Sequence, residues 1–248
     1  MIEIRDIWKS FDGKQVHRGL SLDIPEHETT VILGKSGGGK SILLKMIIGL
    51  VLPDSGTIQV DGREVTTMAY SDLRALRRKF GFLFQGAALF DSMSVGENVA
   101  LPLRYMPERK KTDITARIRE ALRTVGLENT EDLMPSSLSG GMRKRVGLAR
   151  AIVQTPPYVL YDEPTTGLDL GTADEINLLV NELRDRLGVT SIVVTHDVRS
   201  AFVMGNRFAV LDEGKFIAAG TADEIRTSGN EDVRKYIDSS LPMQGEAP

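Results

Sequence analysis

The chain of 248 residues contains no cysteine, and this absence excludes disulfide bonds, thiol catalysis and zinc sites built on thiolates. The chain also lacks a strong excess of one charge. Its formal net charge is −3, which gives no overall attraction to nucleic acid or to anionic lipid. This composition is compatible with a reducing compartment such as the cytoplasm.

Long apolar segments are missing as well. The longest, Ile42–Leu52, is interrupted by Lys45 and Gly49 and is too short to span a bilayer. The first residues, MIEIRD, have neither the basic region nor the apolar core of a signal peptide. We therefore expect a soluble protein that reaches a membrane only through a partner. The length of 248 residues suits one large domain, or a domain with an inserted subdomain, and the 41% of hydrophobic and 26% of charged residues are ordinary for a globular protein with a sizeable core.

The stretch from Thr30 to Ser41, TVILGKSGGGKS, carries the strongest functional signal. An apolar strand leads into G-x-x-x-x-G-K-S and an apolar helix follows, which is the context that a phosphate-binding loop requires. Glycines let consecutive backbone N–H groups converge on an anion at a helix N-terminus. Lys40 adds a charge for the β- and γ-phosphates, and the Ser41 hydroxyl can bind Mg²⁺. The alternative, a glycine-rich turn that binds nothing, is the weaker interpretation. The candidate nucleotide-binding residues here are Gly34, Lys35, Ser36, Gly37, Gly38, Gly39, Lys40, Ser41 and Ile42.

Two acidic residues end a second apolar strand, Val159–Tyr161. Asp162 is placed to hold Mg²⁺, as the strand-end aspartate of phosphate-loop enzymes does. Glu163 can orient and deprotonate an attacking water. The alternative is that the two acids merely end the strand, but a complete phosphate-binding loop in the same chain favours the catalytic interpretation.

A third segment, Leu138–Met142, reads LSGGM and precedes an apolar-periodic helix. Ser139 is a good N-cap, and the two glycines leave backbone N–H groups exposed at a helix start. The segment therefore predicts a second anion site, although a Ser-Gly-Gly turn before a helix is common and the signal is weak by itself.

The remaining pattern predicts an α/β protein. We expect strands at the N-terminus, at Leu20–Ile24 and at Phe80–Gln85, and hairpins around Asp61-Gly62 and Asp212–Lys215. A mostly helical block begins at Gly86. Its clearest helix has the apolar spacing of Ile114, Ile118, Leu122 and Val125.

Taken together and in this order, the phosphate-binding loop, Gln85, LSGGM, Asp162-Glu163, Leu168-Asp169 and His196 resemble the ATP-binding cassette ATPases over about Met1 to Ile225. The resemblance implies a RecA-like core with an antiparallel β-subdomain and an inserted helical subdomain. It implies one domain, 1–240, with the core in 1–85 and 155–240 and the helical subdomain in 86–154. The tail, 241–248, is expected to be disordered.

The family resemblance also implies roles for single residues. Ser139, Gly140 and Gly141 would contact the γ-phosphate of ATP bound to a second cassette chain, so that a head-to-tail homodimer encloses two ATP molecules. Gln85 would touch Mg²⁺ and the attacking water, and His196 would sense the γ-phosphate. Asp169 would act across the dimer, and Phe11 would stack on adenine. The implied catalytic set is Glu163, His196, Gln85 and Lys40, and the implied Mg²⁺ ligands are Ser41, Gln85 and Asp162.

Three positions depart from the usual family pattern. Met142 replaces a glutamine, Lys35 stands where many transporter cassettes have proline, and Gly167 stands where alanine often precedes the leucine. None of these departures removes a needed donor or acid, so we expect the chain to hydrolyse ATP.

Leu138–Met142 corresponds to the signature segment of the family. Within the family, three stretches resemble the Mla/Mce-type lipid-transport ATPases: Phe84–Val99, Leu133–Met142 with its terminal methionine, and Asp232–Ile237. This similarity implies a permease, a Mce-domain protein and in some systems a STAS-domain subunit as partners. It places the ATPase on the cytoplasmic face of the inner membrane. The alternatives are an importer ATPase for an amino acid or osmolyte, and a soluble cassette ATPase that is not part of a transporter.

Three basic clusters, Arg74–Lys79, Arg109–Lys111 and Arg143–Arg145, could suggest nucleic-acid binding. No aromatic residues are interleaved with them, and the net charge is negative. We therefore expect solvated faces and no nucleic-acid partner.

Overall fold

The computed structural model describes residues 1–104 and 111–238, and the backbone alone for 111–113. Its strands are β1 (Ile2–Phe11), β2 (Lys14–Ile24), β3 (Thr29–Gly34), β4 (Ser55–Val60), β5 (Arg63–Glu64), β6 (Phe80–Leu83), β7 (Tyr158–Asp162), β8 (Thr190–Thr195), β9 (Arg207–Asp212) and β10 (Lys215–Thr221). Its α-helices are α1 (Lys40–Ile47), α2 (Tyr70–Arg77), α3 (Val95–Arg104), α4 (Lys111–Thr124), α5 (Gly140–Ile152), α6 (Leu170–Leu187), α7 (Val198–Met204), α8 (Ala222–Arg226) and α9 (Glu231–Asp238).

The described residues form two compact units, of which the first comprises Met1–Arg77 and 190–238. This unit contains an antiparallel sheet in the order β2–β1–β4–β5. In its other strand group, β3 lies between β8 and β9 and is parallel to both, while β10 pairs antiparallel with β9. Every residue of β3 is buried, as expected of a strand with parallel neighbours on both sides.

The second unit comprises Arg78–Val189 and is built around α5. This helix packs against α3, α4, α6 and β6. Its apolar residues Val146, Leu148 and Ile152 are buried, and β6 and β7 pair in parallel. The unit therefore holds the predicted signature helix and the predicted Asp162-Glu163 strand on one core.

The structure confirms the predicted hairpins, and it corrects two strand boundaries. The second strand begins at Lys14 instead of Leu20, because the chain turns at Asp12-Gly13 and Phe11 pairs with Lys14. Strand β6 ends at Leu83, the last residue paired with β7, so Phe84 and Gln85 lie beyond the strand. Isolated sequence patterns miss such boundaries because strand pairing, rather than alternation, decides them.

No helix among residues 1–104 and 111–238 is both long and apolar enough to cross a bilayer. The predicted limits of the helical subdomain, 86–154, stay a prediction. The tail that we expect to be disordered, 241–248, lies outside the described residues.

Candidate functional site

The phosphate-binding loop joins β3 to α1 in the first unit. Gly39 is the N-cap of α1 with φ +93, and a Cβ there would lie 2.6 Å from Val16 Cγ1 and 2.7 Å from His17 Nε2. Glycine meets both requirements, the left-handed backbone and the close approach. Gly37 also has a positive φ, +77. Positive φ values at separated positions of a glycine-rich loop are typical of a backbone nest that binds anions.

The two lysines of this loop have different surroundings. Lys40 is 4% exposed, and its ammonium donates hydrogen bonds to the carbonyl oxygens of Gly34 at 2.7 Å and Lys35 at 3.0 Å. Its charge is thus held within the loop, where it can pair with phosphate oxygens. The Lys35 side chain is exposed and forms an ion pair with Asp212 at 3.3 Å, so its backbone is the part that faces the loop.

His17 lies directly behind the loop, a placement that the sequence did not indicate. The side chain is fully buried, and Nε2 lies 3.1 Å from the carbonyl oxygen of Gly39. Burial lowers the pKa of His17, and the contact with the Gly39 carbonyl opposes that shift. The neutral imidazole with its proton on Nε2 can therefore donate to Gly39 and support the loop from behind.

A cleft of about 370 Å³ adjoins the same loop. Gln15, Val16, Gly38 and Ile42 are among the residues that line it. Phe11, predicted to stack on adenine, ends β1 with 42% of its surface exposed, and Lys9 Nζ lies 5.1 Å from its ring centroid. A partly exposed aromatic side chain of this kind is available for stacking on a base.

His196 directly follows β8 and is exposed. Its carbonyl oxygen accepts a hydrogen bond from the Tyr236 hydroxyl of α9 at 3.2 Å. The next residue, Asp197, caps α7 by accepting from the backbone N–H of Ser200 at 3.2 Å. The backbone on both sides of His196 is therefore fixed while its imidazole faces solvent.

The predicted acidic pair lies at the end of β7 in the second unit. Asp162 and Glu163 are each 6% exposed. Glu163 has a left-handed backbone, φ +51, which is uncommon outside glycine. Its carboxylate accepts a hydrogen bond from the Thr166 hydroxyl at 3.1 Å, a contact that orients Oε2. Thr166 is a further residue that the sequence did not point to.

Lys144 corrects the expectation that Arg143–Arg145 is a solvated face. It is 5% exposed, and its ammonium donates to the carbonyl oxygens of Gln85 and, at 3.1 Å, of Glu163. The Gln85 side chain itself is exposed. Helix α5 packs on β6 and turns this position inward, which a short charge run cannot reveal.

The signature segment begins α5 as predicted. Ser139 is the N-cap, and its hydroxyl accepts from the backbone N–H of Met142 at 3.2 Å. Gly140 is exposed, whereas Gly141 is buried, and a Cβ on Gly141 would lie 2.6 Å from Thr172 Cγ2 of α6. Glycine is therefore required at position 141 because α5 and α6 pack closely there. The missing side chain also helps to leave the N-terminus of α5 open.

Asp169, predicted to act across a dimer, is the N-cap of α6. Its carboxylate accepts from the backbone N–H of Thr172 at 3.0 Å and from the Thr172 hydroxyl at 2.7 Å. These bonds, the backbone one first, lower the pKa of Asp169. The neighbouring Leu170 is 71% exposed, which leaves an apolar side chain in solvent beside this cap.

The predicted magnesium ligands offer oxygen atoms only. Within the part of the chain that the structure describes, no group of three or more His, Asp or Glu side chains could hold a metal ion by itself. Mg²⁺ does not need such a group, because it keeps several waters and binds through one or two carboxylates and substrate phosphates. The oxygens of Ser41, Gln85 and Asp162 are hard donors, so their chemistry fits Mg²⁺.

Comparison with known protein sequences gives consistent matches. Residues 17–166 match the family model described as ABC transporter. The chain is 37% identical to a probable ribonucleotide transport ATP-binding protein of Mycobacterium leprae, over 95% of this chain and 68% of that protein. It is 36% identical to MlaF of Escherichia coli, an intermembrane phospholipid transport ATP-binding protein, over 96% and 88%. It is 38% identical to the methionine import protein MetN of Clostridium tetani, over 99% and 77%.

Two solved structures share the fold. MJ0796, an ATP-binding cassette in a dimeric post-hydrolysis state with ADP and phosphate, superposes with a TM-score of 0.81 at 32% identity, covering 89% of this chain and 98% of that one. The protein cbiO1 of Clostridium perfringens, part of the ABC transporter complex cbiONQ, gives 0.84 at 30% identity, covering 97% and 95%. The predicted cassette fold is confirmed.

Proposed function

The chain belongs to the ABC transporter family and is an ATPase coupled to transport, and we propose that its cargo is a lipid, specifically a phospholipid. The similarity to MlaF carries this proposal, since it extends over 96% of this chain and 88% of that protein. The lipid-type pattern of Phe84–Val99 and Met142 supports it. A second candidate, an importer for an amino acid or osmolyte, is supported by the similarity to MetN.

The proposed chemistry is the attack of water on the γ-phosphorus of ATP, which breaks the bond from that phosphorus to the β,γ-bridging oxygen and releases ADP and phosphate. Glu163 is the proposed general base: it accepts the proton of the attacking water on the carboxylate that Thr166 orients. Lys40 and the backbone N–H groups of the loop bind the phosphates. His196 contacts the γ-phosphate, and Phe11 stacks on adenine.

Mg²⁺ would be held by Ser41, Gln85 and Asp162. When bound, it offsets negative charge on the phosphate oxygens. Gln85 in addition touches the attacking water, and its backbone is tethered through its carbonyl oxygen to Lys144.

The site is completed by a second copy of the chain. Ser139 and Gly140 are exposed at the N-terminus of α5, where backbone N–H groups and the helix dipole attract a phosphate. In the proposed homodimer, these residues and Gly141 bind the γ-phosphate held by the partner's loop, and Asp169 lies at the same interface. ATP binding closes the dimer, and hydrolysis removes the bridging phosphate and reopens it.

The proposed assembly sits on the cytoplasmic face of the inner membrane through a permease. The segment from Gly86 to Val99 receives the permease, and Phe90, which is 54% exposed, offers the largest apolar contact next to the half-buried Leu89 and Met93. Mce-domain and STAS-domain subunits complete the proposed set of partners.

The test of the catalytic assignment compares two isosteric substitutions. Glu163→Gln should bind ATP but hydrolyse it about 10²–10⁴-fold more slowly, because the amide cannot accept the proton. Glu182→Gln, at an exposed position of α6, is the matched control and should keep full turnover. Ser139→Arg should abolish hydrolysis while ATP binding to the isolated chain persists. Wild-type turnover in Glu163→Gln, or loss of ATP binding in Ser139→Arg, contradicts the assignment.

The cargo is tested with the complex that the chain forms with its membrane partners. ATP-dependent transfer of a fluorescent phospholipid between vesicles is expected with the wild-type complex and should stop with Glu163→Gln. Uptake of radiolabelled methionine without lipid transfer would favour the importer. Co-purification with a permease that brings neither lipid nor a Mce-type subunit would also refute the lipid proposal.

A further inference from the structure

Lys144 is a buried lysine on the same helix that begins with the signature segment. Placing an ammonium group in a protein interior is costly unless hydrogen bonds and opposite charges compensate. Burial lowers the pKa of Lys144, and the charges of Glu163 and then of Asp162 oppose that shift. Because only 5% of Lys144 is exposed, its ammonium group needs hydrogen-bond acceptors within the protein in addition to the two nearby acids.

Those partners are main-chain atoms of the two residues proposed to handle the attacking water. The ammonium donates to the carbonyl oxygen of Gln85 and, at 3.1 Å, to that of Glu163. One side chain thus ties together the backbone beyond β6 and the backbone at the end of β7.

The tethered backbone at Glu163 is strained. A left-handed conformation is unfavourable for a non-glycine residue, and it persists where surrounding contacts fix it. With φ at +51, Glu163 has such a backbone, and Lys144 binds the carbonyl of that same residue. The hydrogen bond therefore stabilises the conformation that sets the direction of the Glu163 carboxylate.

We propose that Lys144 is a positioning residue, which holds Gln85 and Glu163 in their hydrolytic arrangement and links them to the helix whose N-terminus binds the partner's phosphate. This inference rests on the proposed function of Gln85, Glu163 and Ser139. Helix α5 then connects the two sites within one subunit. Binding of the partner's phosphate at the start of the helix affects Lys144, four to five residues further along, and through it the groups that activate water.

The decisive variant is Lys144→Met, which keeps most of the apolar stem and removes the charge and the donors. Because a displacement of about 1 Å in a catalytic group can cost on the order of 10²-fold, we expect kcat to fall about 10–100-fold. KM for ATP should change less than about 3-fold, since the phosphate-binding loop is untouched. Lys144→Arg, which keeps charge and donors, should recover much of kcat.

Arg145→Met is the matched control on the same helix. It also removes a cation that donates to a main-chain carbonyl, that of Val125 at 2.8 Å, but this contact lies away from Gln85 and Glu163. It should lower the melting temperature without lowering kcat. If Lys144→Met does not fold, Lys144→Gln serves in its place: it removes the charge but keeps an amide donor, so kcat should fall less than expected for Lys144→Met and still fall below the wild-type value.

A double-mutant cycle separates positioning from general destabilisation. In the Glu163→Gln background, Lys144→Met should cause a clearly smaller fold-loss than in the wild-type background, because only the positioning of Gln85 is left to lose. An equal fold-loss in both backgrounds, or an unchanged kcat in Lys144→Met, overturns the proposal. Full turnover in Glu163→Gln alone would instead refute the proposed general base, and the role of Lys144 with it.

Discussion

His17 packs behind the phosphate-binding loop, and replacing it by glutamine should change how the stability of the protein depends on pH. The imidazole is fully buried, its Nε2 lies 3.1 Å from the carbonyl oxygen of Gly39, and burial lowers its pKa from the ordinary 6.5. In His17→Gln the amide can still donate to Gly39, but it does not titrate. The stabilities of the wild type and of His17→Gln should therefore differ in their pH dependence by the effect of the one proton that the His17 imidazole takes up.

The sign follows from proton linkage. Because the pKa of His17 is lowered by folding, the unfolded chain binds a proton at a pH where the folded chain does not. His17 therefore has no effect on stability well above pH 6.5, and it destabilises the fold as the pH falls below that value. One proton gives at most about 1.4 kcal/mol per pH unit, so the loss at pH 5.5 is at most about 1.4 kcal/mol. For a chain of this size that corresponds to roughly 3–6 °C in melting temperature.

The measurement is thermal unfolding of the full chain from pH 8 to pH 5. The wild type should lose up to these few degrees more than His17→Gln between pH 7.5 and 5.5, and the two curves should be parallel above pH 7. His27 and His196 are present in both chains and cancel in the difference. Parallel curves over the whole range, or a gap that opens with rising pH, would falsify this account of His17.

Two further substitutions test local geometry. Gly39→Ala should destabilise the protein by about 2–5 kcal/mol and weaken ATP binding, because the new Cβ would overlap Val16 and His17 in addition to the cost of a positive φ. Gly37→Ala, which has open space around it, should cost only about 1–2 kcal/mol. Equal losses of stability in urea unfolding of the two variants would contradict the overlap at Gly39. Asn98→Ala should lower the free energy of unfolding by about 2–4 kcal/mol and speed amide hydrogen exchange around Phe90. The buried Asn98 side chain accepts from the backbone N–H of Phe90 at 2.8 Å and donates to its carbonyl oxygen at 3.1 Å, and the variant loses both bonds. Unchanged exchange around Phe90 would refute the prediction.

The phosphate-binding loop could be predicted in full because its chemistry is local. Gly34 and Lys40 are six residues apart, and the bond between them closes within the motif itself. The N-caps Ser139 and Asp169 are equally local, since each accepts from a backbone N–H three residues further on. Residue type and spacing are sufficient information for contacts of this range.

Strand boundaries and buried polar groups could not be predicted in the same way. The limits of β2 and β6 follow from pairing with other strands. Lys144 looks like part of a solvated charge run until α5 is packed against its neighbours. His17 has no family motif around it, and its partner Gly39 is 22 residues away.

The sequence by itself determined that this chain binds a nucleoside triphosphate, and the order of its motifs determined the family. The tertiary structure decided which side chains support those motifs. Lys144 binds Gln85 across 59 residues and Glu163 across 19, and His17 supports the loop from another strand. Whether a lone polar residue faces solvent or a buried carbonyl depends on the packing of distant segments, and no short window of sequence contains that information.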